Sequence, residues 1–91
     1  MLVPASSGGG AKLKTQTATT ITSAANKFIA FPSGRYPLYA SVTIGGSAQP
    51  CLLFPINGII YAKGYFDKDS GAYGTFSAST SYTIEYTYLE N

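Results

Sequence analysis

Apolar and polar positions alternate along most of this chain, and no segment shows the 3.6-residue repeat of an amphipathic helix. The pattern is clearest near the end. Tyr82, Ile84, Tyr86 and Tyr88 fall on one face of a predicted strand, and Thr83, Glu85, Thr87 and Leu89 on the other. A period of two sustained this long marks a strand with one buried face. Leu38, Ala40, Val42 and Ile44 alternate with Tyr39, Ser41 and Thr43, which predicts a second strand with its aliphatic face inward, ended by Gly45-Gly46-Ser47. Residues 51–56 and 59–66 flank Asn57-Gly58, a strong hairpin signal. The dipeptide predicts a type I′ turn with both residues at positive φ. Pro55 has no N–H, so that side of its strand must point outward or sit beside a bulge.

The remaining segments follow from turn chemistry. Lys12 to Thr22 is threonine-rich and reads as an edge strand, where lysines and hydroxyls guard against wrong pairing. Residues 23–26 form a turn and 27–31 a short strand. Residues 32–35 and 67–74 are loops rich in Pro, Gly, Asp and Ser. Residues 75–79 and 81–89 supply the last two strands. The total is about seven strands with turns every eight to twelve residues, the spacing of a small antiparallel β-sandwich or barrel. Residues 12–91 are assigned to this all-β domain. Residues 1–11 form an extended N-terminal arm: an apolar head, Met1-Leu2-Val3-Pro4, and a Gly/Ser hinge. The head is expected to dock on a partner.

Composition narrows the function. The apolar share of 45% is ordinary, but charged residues make up only 11% against about 25% in typical domains. Ten threonines, ten serines and eight tyrosines stand in for the missing charge. Such a surface suits a chain packed against other chains. The net charge of +2 is spread over scattered lysines and one arginine, with no basic stripe for nucleic acid. Cys51 is the only cysteine, so no intrachain disulfide forms, and its place in an apolar run marks it as a buried small hydrophobe. No stretch approaches the ~20 apolar residues of a membrane helix, and no signal peptide is visible at the start. Membrane insertion is not expected.

Catalysis finds little footing. There is no histidine to activate a nucleophile, and one cysteine without histidine does not hold zinc. Asp67-x-Asp69-x-Gly71 faintly suggests a calcium loop, but Ala72 and Ala78 stand where an EF-hand needs Gly and Glu. No metal and no cofactor are expected, and the chain does not read as an enzyme. The tyrosines carry more weight, because Tyr is rigid and amphipathic and is enriched at interfaces. The candidate partner-binding residues are Met1, Leu2, Val3 and Pro4 in the arm, with Tyr61, Tyr65, Tyr73, Tyr86 and Tyr88 in the domain.

A short apolar start, a Ser-Gly-Gly-Gly-Ala hinge, the hairpin "INGIIYAKGYF" and the closing "SASTSYTIEYTYLEN" together resemble small virion proteins of tailed bacteriophages. The likeness is best over residues 50–91. It implies a homo-oligomer, often a trimer, mounted on the virion by its N-terminal arm beside other virion proteins. The chain lacks the shaft of a long fibre, which favours a head-decoration, tail or baseplate component. The alternative is a module that binds carbohydrate or a host receptor.

Overall fold

The computed structural model describes residues 12–90. They form seven strands and no helix: β1 (Lys12–Thr22), β2 (Ile29–Ala30), β3 (Arg35–Ile44), β4 (Ser47–Ile56), β5 (Ile59–Asp67), β6 (Ala72–Gly74) and β7 (Ser81–Glu90). The all-β class follows the sequence pattern. All pairings are antiparallel, in the order β1-β7-β3-β4-β5-β2, with β6 also paired to β5. The sheet curls into a half-barrel, far enough that β1 and β2, at opposite ends of the order, approach each other.

Two tight turns and one shared strand set the curl. Gly45 and Gly46 have φ of 58° and 87°, and Asn57 and Gly58 have 51° and 78°. Both hairpins therefore turn through two residues at positive φ, as type I′ geometry requires, and the expectation for Asn57-Gly58 holds. β4 divides its pairing between two neighbours. Its first part pairs with β3, from Ile44↔Ser47 to Ser41↔Pro50, and its second part pairs with β5, from Cys51↔Tyr65 to Ile56↔Ile59. Pro50, which has no N–H to give, stands where the partner changes.

The concave side holds the core. Ile84, Tyr86 and Tyr88 of β7 are buried together with Ala40 and Val42 of β3, and the register places Ala40 opposite Tyr86 and Val42 opposite Ile84. Ile29, Ala62 and Phe76 close the other wall. Fully burying a side chain such as Ile84 contributes roughly 1.5–3 kcal/mol. The opposite face of β7 carries exposed Thr83 and Glu85, so the alternation assigned there is observed.

Four local expectations need correction. Residues 75–79 are a loop, not a strand, because Phe76 turns inward and is 1% exposed. Buried Ser23 holds that loop: its hydroxyl donates to the Ser77 carbonyl at 2.5 Å and accepts the Thr80 N–H at 2.9 Å. The expected loop at 67–74 contains β6 instead. The short strand expected at 27–31 shrinks to two residues, and Lys27 has φ of 73° in a turn closed by its N–H donating to the Ala24 carbonyl. Leu38 was expected inward but is exposed, since a register shift between Pro37 and Tyr39 turns it out. The arm at 1–11 lies outside the described residues, and among those described β1 is an edge strand paired with β7 alone.

Candidate functional site

Residues directly opposite in an antiparallel pair share a face, as do residues two apart on one strand. These rules collect the exposed apolar side chains of β4, β5 and β6. Leu52, Phe54 and Ile56 alternate along β4. Phe54 faces Tyr61 and Ile56 faces Ile59. Across the register shift at Leu52/Leu53, Leu52 faces Gly64, two residues before Phe66, and Phe66 faces Tyr73 of β6. The outer face of this half of the sheet is thus a nearly continuous aliphatic and aromatic surface. Leu52, Phe54, Ile59 and Tyr73 are its most exposed members, at 37%, 47%, 55% and 72%.

Ring contacts order this face. Tyr73 meets Phe66 edge to face, with centroids 5.2 Å apart. Phe28 reaches over from the turn before β2 and lies 6.2 Å from Tyr61. Lys63 is the cation of the patch, its Nζ 4.3 Å from the Phe54 ring centroid and 5.2 Å from that of Phe28. Cation–π attraction keeps the ammonium over the rings while its stem covers apolar surface.

The tyrosines expected to meet partners fall into three environments. Tyr61 and Tyr73 belong to the outer face. Tyr65 turns inward, packs against Phe76 at 5.8 Å and sits against Gly74. Tyr86 and Tyr88 are 1% and 4% exposed. As surface contacts these last two are corrected: they face the core because they alternate in phase with Ile84. Met1, Leu2, Val3 and Pro4 lie outside the described residues. Sequence reasoning missed Leu52, Phe54, Ile56, Ile59 and Phe66. The available signal was the low charge of the hairpin, whose single charged residue up to Phe66 is Lys63.

Beside the face lies an open cleft of about 460 Å³ between residues 30–37 and the hairpin tip at 58–61. Phe31, Pro32, Tyr36, Pro37, Ile60 and Tyr61 are among its walls. Phe31 is braced edge-on against Tyr86 at 4.9 Å. Arg35 borders the cleft, with one guanidinium nitrogen donating to the Tyr86 hydroxyl at 2.8 Å and to Gln16 Oε1 at 3.1 Å. Its Cζ lies 4.5 Å from the Tyr88 ring centroid. The Tyr86 hydrogen bond is the main influence raising its pKa further, so the guanidinium stays charged. Nearby, Lys14 Nζ meets Glu90 Oε1 at 2.6 Å, and each partner's hydrogen bond favours the other's ionised form.

No family model, curated protein or solved structure matches this chain. Among the described residues, no group of three or more His, Cys, Asp or Glu side chains converges as a metal site would require. The carboxylates of the 67–71 turn are engaged internally. Asp67 Oδ1 accepts the Asp69 and Ser70 N–H groups at 2.9 and 3.3 Å, and Gln49 Nε2 donates to Asp67 and Asp69 at 3.3 and 3.2 Å.

Proposed function

We propose that this chain is a structural assembly module that associates with copies of itself through the outer face of β4, β5 and β6. One observation carries the reading: Leu52, Phe54, Ile56, Ile59, Tyr61, Phe66 and Tyr73 share a face, with Lys63 the one charged residue between Cys51 and Phe66. Contiguous apolar surface of this kind marks interaction sites. Rigid aromatic side chains are favoured at interface centres because little conformational freedom is lost on packing. A second copy offers the same surface, which a two-fold contact can match to itself. The resemblance to tailed-phage virion proteins supports a setting in which many copies line a particle.

A carbohydrate-binding reading has less support. Sugars need polar groups beside the stacking ring, and Asp67 and Asp69, the acids nearest the exposed tyrosines in sequence, are bonded to Gln49 and to loop amides.

Size-exclusion chromatography with light scattering tests the proposal. The wild-type chain is expected to form dimers or larger species that dissociate on dilution. Phe54→Glu, at a site 47% exposed, should remain folded and run as a monomer. A monomeric wild type at high concentration, or an unchanged mass for Phe54→Glu, would overturn the reading.

A further inference from the structure

The cleft between residues 30–37 and 58–61 has a flat apolar lining and one cation, Arg35. Phe31, Tyr36 and Tyr61 supply rings, and Pro32 and Pro37 supply rigid faces. Its volume of about 460 Å³ falls within the range of small-molecule sites, roughly 300–1,000 Å³. The Arg35 guanidinium stands beside Phe31, because both rest on the Tyr86 ring. A guanidinium has five N–H groups. Two are used, on Gln16 Oε1 and the Tyr86 hydroxyl, and both leave from the same nitrogen, Nη1. The N–H groups of Nε and Nη2 meet no acceptor among the described residues. They form the fork that receives a carboxylate through two parallel hydrogen bonds. The surroundings favour an anion: Lys12 and Arg35 flank Glu90 in the sheet, and the Glu90 carboxylate is already paired with Lys14. Arg35 is also preset, stacked 4.5 Å from the Tyr88 ring centroid, so little freedom is lost when an anion arrives.

We propose that this cleft binds a small aromatic monocarboxylate, its ring among Phe31, Tyr36 and the prolines and its carboxylate on the Nε–Nη2 edge of Arg35. A flat ring packs offset or edge-on against rings of this kind. One negative charge matches the one cation of the lining, whereas a phosphate ester would bring more charge than a single guanidinium answers. Ile59 and Tyr61 belong both to the cleft and to the outer face, so the two surfaces share a border. The binding site is nonetheless complete within one chain and does not rest on self-association.

Amide chemical shifts recorded while 3-phenylpropanoate is added to the full chain test the site. Saturable shifts are expected at residues 33–36 and 58–61. The neutral amide of the same acid, and acetate, which lacks the ring, should each bind at least about tenfold more weakly, because one loses the charge-assisted hydrogen bonds and the other the apolar contact. Arg35→Lys keeps the charge but loses the fork, and should weaken binding of the acid by a similar factor. The ligand series on the wild type decides the matter whatever the stability of that variant. Equal affinity for acid and amide, shifts confined to the outer face at 52–54, 66 and 73, or no saturable shift at all would overturn the proposal. Phe54→Glu should bind the acid as the wild type does, and loss of binding there would overturn a site complete in one chain. The two readings fail separately. A monomeric wild type that prefers the acid refutes self-association and keeps the site, and a self-associating one that does not distinguish acid from amide does the reverse.

Discussion

Gly64 of β5 and Gly74 of β6 approach so closely that a Cβ on Gly64 would lie 2.4 Å from the Gly74 carbonyl oxygen. A Cβ on Gly74 would in turn meet the Tyr65 ring at 2.4 Å. Neither clash is with a freely moving chain end: the first atom is backbone, and Tyr65 is packed against Phe76. Gly64→Ala is expected to cost about 1–3 kcal/mol, the usual penalty for forcing atoms into a filled space. A urea unfolding curve measures it as a lower midpoint at unchanged slope. An unchanged midpoint would show that β6 does not pack on β5 this tightly.

The hairpin turn gives a second expectation. Gly58 has φ of 78°, which a β-branched residue resists. Gly58→Val should destabilise the fold by about 1–2 kcal/mol or more. In a domain of this size that lowers the melting temperature by several degrees. Retention of the wild-type melting temperature would contradict the type I′ geometry.

Gln49 is 2% exposed and is the buried hub of the 67–71 turn. Its Oε1 accepts the Lys68 N–H at 2.8 Å while its Nε2 reaches Asp67 and Asp69. Gln49→Leu leaves that N–H and the facing carboxylates without their partner, at a cost of about 1–3 kcal/mol. A cycle with Asp67→Ala should show coupling between the two sites, and simple additivity would refute the network. Because these carboxylates are engaged internally, a chelator should leave the melting temperature unchanged. A drop reversed by calcium would reassign Asp67 and Asp69 as ligands.

Cys51 should titrate late. The residue as a whole is half-buried, but its thiol packs against the core, and burial pushes its pKa from 9.0 up to about 12. Burial favours the neutral thiol, so between these two values the folded chain holds a proton that the unfolded chain has lost. The resulting contribution to stability is complete below about pH 9 and declines as pH rises towards 12. A thiol reagent at pH 8 should modify the native protein far more slowly than the urea-unfolded one. Equal rates would place the thiol in solvent.

The parts of this fold visible in the sequence are those that local chemistry determines. Asn57-Gly58 needs no distant partner to turn, and the Tyr82–Tyr88 alternation declares its buried face through Ile84. The parts that were hidden depend on contacts between remote segments. Phe76 lies in a stretch that looks like a strand, but Ser23, more than fifty residues away, bonds to Ser77 and Thr80 and holds it as a loop. Gln49 carries no local mark of burial, because what covers it is the 67–71 turn, whose Lys68 is 19 residues away. Leu38 follows the inward pattern until the bulge reverses it. Two of the seven residues on the candidate face, Tyr61 and Tyr73, were legible in the sequence, whereas the side chains that make them a surface are brought together by cross-strand register.

β7 lies between β1 and β3, so the last of the seven strands is an interior member of the sheet. Lys12 meets Glu90 only after the intervening 77 residues have been synthesised. A ribosome that stops short of residue 81 releases a product without Ile84, Tyr86 and Tyr88, and β1 then has no strand to pair with. The local hairpin of β4 and β5, with its apolar outer face, can form long before that point. Growing chains on one message therefore expose apolar side chains before they possess a core. Translation speed through the codons of residues 81–90, and chaperone occupancy during that interval, should govern how much of the protein escapes aggregation.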